Sequence, residues 1–448
     1  MVLLYIIFLL KINLILSNII IPFTTIKENI TSDTPSTFMY FYFQNKIETL
    51  IKIGTPSQDI PLRIKTLRYP ISINSVEMGT YKIIRFNQTE SSSYISISER
   101  PSYFGEHDFT NALKSKDIIQ FNNHSLILDN FTFLLGVVDM GYHKESGVLG
   151  LKLPEFDWRI LDVCFIKQIK ERELIEKYMF FIKYNENDDN GEVIFGSFPH
   201  EVYPNKYDVK KYDEFYAAIV SNSLGFLISE ALYGEDIIDT EFKVELAVEE
   251  NLIRGTEAFK SFLKEKFFQK YIDRKICQSS VFSYLDNEKN EFFYCSKKLN
   301  LTDFKNIILP ITDSKITIVL DYKDLFIEYN DNYYFIIYFP TTTYSNTYFR
   351  LGKILFKKFT LSFNYENKKI GYYIKDENEN NDNKNIETTD DNNKKTYYYL
   401  IPWIIVIVLI IIIALLSFYI LYYKPWKNRS KRANELQDDN YSYEGINE

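Results

Sequence analysis

Few side chains in this 448-residue chain sit where chemistry needs them. The four histidines, His107, His124, His143 and His200, are scattered, with no metal-ligand spacing to one another or to a cysteine. No Gly-x-Ser-x-Gly elbow offers a nucleophile, and no glycine-rich loop cradles a phosphate. Neither a metal nor another cofactor is expected. Acceptor chemistry is better represented: Asn29-Ile-Thr, Asn87-Gln-Thr, Asn123-His-Ser, Asn130-Phe-Thr and Asn300-Leu-Thr are all triplets that take an N-linked glycan. Three cysteines allow one bridge and one thiol; Cys277 and Cys295 can pair in an oxidising compartment, which leaves Cys164 as a buried apolar residue. Near the C-terminus Tyr443-Glu-Gly-Ile446 fits a Tyr-x-x-apolar sorting signal.

The elements that hold these residues follow from composition and hydropathy. A formal net charge of −8 argues against nucleic acid, which needs a basic face. With 36 Tyr and 36 Phe against 15 Gly and 13 Pro, the chain favours pleated, half-buried strands. Residues 1–17 form a short apolar run where a signal peptide belongs. Leu400 to Tyr423 is uncharged, about the length that crosses a bilayer, with Tyr and Trp at both ends. Lys424, Lys427, Arg429, Lys431 and Arg432 follow it, which places the tail 424–448 in the cytosol and the glycan triplets in the lumen or outside the cell. The expectation is a single-pass type I membrane protein of the secretory pathway, at the cell surface or an endolysosomal membrane. Residues 376–396 are Asn-rich and acidic and read as a stalk. Residues 38–375 read as short strands and polar turns, with Tyr94-Ile-Ser-Ile-Ser and Lys358-Phe-Thr-Leu-Ser-Phe alternating and Tyr333 to Phe339 buried on both faces. Helical spacing predicts packing helices over Leu161–Tyr178 and Glu257–Ile272.

Six stretches together resemble one family. Ile53-Gly-Thr-Pro-Ser-Gln-Asp-Ile60 is similar to the opening strand-turn of the pepsin-like aspartic proteases (peptidase A1). The hydroxyl-rich Phe86 to Tyr94, the strand Gly147-Val-Leu-Gly-Leu151, the segment Phe165 to Tyr207, the spacing of Cys277 and Cys295, and Tyr348-Phe-Arg-Leu-Gly352 through Lys369-Ile-Gly371 follow in the family's order. The resemblance implies an all-β, bilobal fold, with an N-lobe over 38–205, a C-lobe over 206–375 and a peptide cleft between them.

That family's chemistry needs two carboxyls about 3 Å apart sharing one proton, each from an Asp-Thr/Ser-Gly loop. On the resemblance, the first aspartate position is Lys65, in Ile64-Lys-Thr-Leu-Arg68, where Thr66 matches the family and Leu67 stands in the glycine position. The second is Ala247, in Leu246-Ala-Val-Glu-Glu250. Neither supplies a carboxyl, so no catalytic residue is assigned. Strand parity carries Glu249 roughly 6–7 Å beyond position 247. Tyr103 corresponds to the flap tyrosine. Lys65 is expected in the cleft floor, with Glu249 and Glu250 its nearest partners. The expected function is a pseudo-protease that binds a peptide or protein ligand in the cleft. The alternatives are a divergent active endopeptidase and a structural surface glycoprotein.

Overall fold

Apolar residues alternate along Lys46–Ile53 (β2) and Gln58–Lys65 (β3), and the buried positions are the apolar ones. The computed structural model describes residues 18–373 except 29–33, 68–69, 77–82, 99–111, 122–125, 138–144, 153–160, 186–189, 221–222, 239–240, 285–287 and 342–347. β2 and β3 pair antiparallel from Glu48↔Arg63 to Ile53↔Gln58. Their turn needs Gly54: its φ is +88°, and a Cβ there would lie 2.8 Å from Ser91 Oγ. The hydroxyl-rich turn docks on it. Ser91 Oγ accepts from Thr55 N–H at 3.0 Å and donates to buried Asp117 at 2.8 Å, while Ser93 donates to the other Asp117 oxygen at 2.6 Å.

One strand path occurs twice. In the N-terminal half β3 runs parallel to Gly147–Gly150, which is antiparallel to Ile71–Asn74 (β4), itself parallel to Leu126–Gly136. In the C-terminal half Phe242–Leu246 runs parallel to Tyr348–Leu351, which meets Ile253–Arg254 antiparallel, itself parallel to Asn332–Pro340. Lys65 pairs with Gly150, and Ala247 donates its N–H to Leu351 O at 3.0 Å. The two residues thus end equivalent strands. Gly352 closes the second path, since a Cβ there would fall 2.1 Å from Glu250 O. The described strands form sheets of thirteen, nine and four strands. A mostly β body with this repeated path fits the pepsin-like expectation.

The segment ahead of Phe38 belongs to this body. Ile19–Ile26 (β1) pairs with Gly191–Phe195 over Ile19↔Phe195 to Phe23↔Gly191, then with β2 over Thr24↔Glu48 to Ile26↔Lys46. Pro35–Gln44 (α1) is a helix, although the chain from residue 38 on reads as short strands and turns. Thr34 caps it by accepting from Thr37 N–H, and Pro35 takes the first turn, where its missing N–H costs nothing. Phe38 is buried between Tyr329 and Tyr334, with ring centroids at 4.4 and 4.2 Å.

Two other expectations change. The helix expected over Leu161–Tyr178 is a 3₁₀ turn, Leu161–Val163, followed by an α-helix, Phe165–Glu171. It stops because Glu173 adopts φ +58° and Leu174 N–H reaches back to Ile169 O at 3.0 Å, the left-handed closure that ends helices. Around Tyr94 only Ile95–Ser96 is strand, and Ile95 and Ile97 are exposed. The helix expected over Glu257–Ile272 forms across Glu257–Asp273 with an internal π turn at Lys264–Phe268. Cys277 and Cys295 lie opposite each other on paired strands and are bonded, and Cys164 is a buried thiol outside that bridge. Burial pushes the Cys164 thiol pKa up. The expected signal peptide, stalk, membrane helix and tail lie outside the described residues.

Candidate functional site

The two equivalent strand ends meet through one hydroxyl. Thr66 Oγ1 donates to Leu246 O at 2.8 Å and accepts from Val248 N–H at 3.0 Å. These are the residues on either side of Ala247, so the loop after β3 and the loop after Phe242–Leu246 touch directly. Beyond the latter strand the chain turns, with Glu250 N–H donating to Ala247 O at 3.0 Å. The strand-parity argument for Glu249 therefore fails. The turn swings Glu249 back to the N-terminal half, where one carboxylate oxygen accepts from Thr66 N–H at 3.0 Å and lies 2.9 Å from Thr66 Oγ1, sharing its one proton with Leu246 O, and the other accepts from Leu67 N–H at 3.2 Å. Leu67 can form this contact because only its backbone is used. Thr66 and Glu249 are buried, so the junction is shielded from bulk solvent.

Lys65 finds its carboxylate elsewhere than expected. Its ammonium lies 3.0 Å from Glu145, whose other oxygen is 2.7 Å from Arg63. Alternation on β3 puts positions 63 and 65 on one face. Glu145 comes from just before Gly147–Gly150, the strand that pairs with β3. Burial pushes the Glu145 carboxyl up, but Lys65 and then Arg63 outweigh it and hold its pKa at about 2. The three groups keep one net positive charge. Glu250 turns away from Lys65 as well: it and Glu245 bracket the Arg350 guanidinium, whose Nη2 lies 2.9 Å from Glu245 and whose Nη1 is hydrogen-bonded to Glu250. Burial pushes the Glu245 carboxyl up against the pull of Arg350; burial also pulls the Arg350 pKa down, but Glu250 and then Glu245 outweigh it and raise it.

The structure thus brings Thr66, Glu249 and the backbone around Ala247 together, and sends Lys65 and Glu250 to separate partners. Sequence reasoning missed Glu145, Arg63, Glu245 and Arg350. The signal for Glu145 was its place two residues before the quoted Gly147 strand, which becomes informative once that strand is paired with β3. Tyr103, Asn29, Asn123, Tyr443 and Ile446 lie outside the described residues. Asn130 and Asn300 are exposed and Asn87 half-buried. His200 packs on the Phe198 ring and bonds Tyr373, and burial lowers its pKa.

Among curated proteins none matches the chain. A family model does: that of the eukaryotic aspartyl proteases, over residues 47–373. The match runs from β2 through both strand paths and the Thr66 junction to the last described residue, and on that extent the chain belongs to the eukaryotic aspartyl protease family.

Proposed function

We infer that this family member has lost catalysis and acts as a membrane-anchored pseudo-protease, its ectodomain binding a peptide or protein ligand between the two halves. One observation carries the loss of catalysis. The Thr66 hydroxyl clasps the backbone on both sides of Ala247, which supports reading Lys65 and Ala247 as the positions where the proton-sharing aspartates would stand. A shared proton needs two carboxyls in contact. Lys65 is instead paired with Glu145, and Glu249, the acid at the junction, has its oxygens engaged by Thr66 and Leu67. The charges that replace the dyad are fixed in pairs, which suits a surface for recognition rather than proton transfer. The anchor rests on the Leu400–Tyr423 run and its basic flank, and the lumenal placement on the Asn-x-Ser/Thr triplets and the Cys277–Cys295 bridge.

The test is peptide cleavage by the full-length protein at pH 3 to 7, with and without a transition-state-analogue inhibitor of aspartic proteases. No inhibitor-sensitive turnover is expected. Turnover that disappears in Glu249→Gln or Glu145→Gln would overturn the reading and identify the acid at work.

A further inference from the structure

The last described strand, Lys369–Tyr373, lies between Thr360–Asn364 and Tyr212–Tyr216, the latter at the end of the thirteen-stranded sheet. Its final residue, Tyr373, stands opposite both Tyr212 and Thr360, and its ring packs against His200 from the turn Pro199–Val202. We propose that His200 and Tyr373 form an acid-sensitive latch on this strand end, closed while the imidazole is neutral and released when it is protonated. The Tyr373 hydroxyl meets His200 twice: it accepts the His200 backbone N–H at 3.3 Å and is hydrogen-bonded to the ring Nδ1. A hydroxyl that already accepts from the backbone completes the pair by giving its own proton to Nδ1, which requires a neutral ring with its hydrogen on Nε2. Tyr373 is 2% exposed, and its hydroxyl has no other hydrogen-bond partner among the described residues. Protonating Nδ1 therefore sets two donors against one oxygen and leaves the phenol proton without an acceptor in a buried place.

The surroundings favour the neutral ring. His200 stacks on Phe198 with centroids 5.4 Å apart, and Tyr212 meets it edge-on at 5.8 Å. Burial lowers its pKa; Glu201 opposes this and Lys177 adds to it. Those two charges are themselves an ion pair, with the Lys177 ammonium also 4.7 Å from the centre of the Phe198 ring. The phenols that face the ring from the two strands, Tyr212 and Tyr373, stay protonated because burial raises both. Glu214, beyond Tyr212, is committed to Lys369. The direction of the effect follows. An imidazole held below its ordinary 6.5 in the latch and returned to it on release favours the released state as pH falls, by up to about 25-fold between pH 7 and pH 5. The latch shares no residue with the Lys65–Glu145 pair, so the strand end loosens at a pH where that pair still holds.

The experiment is hydrogen–deuterium exchange of the full-length protein, in nanodiscs of neutral phosphatidylcholine, at pH 7 and pH 5, corrected for the intrinsic rate. Peptides covering Lys369–Tyr373 should lose protection about tenfold at pH 5, the loss of one hydrogen bond. The bonded hairpin Cys277–Ser296 should keep its protection, which separates release of the latch from unfolding in acid. His200→Gln, uncharged at both pH values, should show no pH-dependent change in Lys369–Tyr373. Tyr373→Phe should lower protection there already at pH 7. Unchanged wild-type protection at pH 5, a loss shared by the hairpin, a loss that persists in His200→Gln, or full protection in Tyr373→Phe would each overturn the latch.

Discussion

Across the junction the Thr66 hydroxyl accepts from Val248 N–H and shares its one proton between Leu246 O and Glu249, while the Thr66 N–H donates to Glu249. Thr66→Val keeps the volume and strands Leu246 O, Val248 N–H and part of Glu249 in a buried contact. We expect a loss of about 2–3 kcal/mol in urea denaturation, the range for buried groups left unsatisfied. Thr66→Ser restores the hydroxyl and should recover most of it; equal losses in both variants would show that the methyl group matters instead. Glu145 gives a pH signature. Its pKa in the folded chain, about 2, lies below the usual 4.5, so the ion pair stabilises the fold fully above pH 4.5. That contribution drains away as pH falls toward 2. The stability gap between the wild type and Glu145→Gln should be flat from pH 7 to 5 and shrink only below 4.5. A gap that shrinks between pH 7 and 5 would contradict the pairing with Lys65 and Arg63. The pairing would therefore survive the mild acid of an endolysosome.

At the scale of elements, the two halves are joined by more than the Thr66 junction. β1 enters the thirteen-stranded sheet, and α1 carries Phe38 onto Tyr329 and Tyr334 of the C-terminal half. Phe38→Ala empties a buried aromatic site and should cost about 3–5 kcal/mol. Thr34→Ala removes only the cap and should cost about 1 kcal/mol. Melting curves that rank these two in the reverse order would show that α1 is held by its ends rather than by its aromatic face. The Cys277–Cys295 bridge joins positions 18 residues apart on one hairpin. Loop entropy sets its contribution at about 3 kcal/mol. Cys277→Ser with Cys295→Ser should lower the unfolding free energy by no more than this, because the paired strands remain.

At the scale of the molecule, on the proposed reading, the ion pairs of Lys65 with Glu145 and of Arg350 with Glu245 and Glu250 predict ligand contacts that do not switch with mild acidification. Its orientation is checked on sealed microsomes. Protease added outside should remove the tail after Lys424 and leave a glycosylated fragment that shifts on enzymatic deglycosylation. Protection of the tail, with loss of the ectodomain, would reverse the topology.

The sequence by itself determined the family, because its landmarks are backbone requirements. Gly54 turns with positive φ, Gly147 and Gly352 admit a crossing backbone, and buried strands such as Tyr333–Phe339 need continuous apolar runs. Such local demands are written residue by residue. The cysteine pairing was legible from its spacing, which resembles the family's, and the structure sets the two positions opposite each other across one hairpin. The helix over Glu257–Asp273 was read from its apolar stripe, while α1 was not, since an aromatic run favours strand until Thr34 and Pro35 are weighed as a cap. What only the tertiary structure decided was which charges meet. Lys65 reaches Glu145 because a parallel strand pairing brings positions 80 residues apart together, and Glu249 leaves the strand because the backbone turns at Ala247. Side-chain partners across a long crossover depend on register and turn direction, and neither is encoded in the local pattern of the residues that meet.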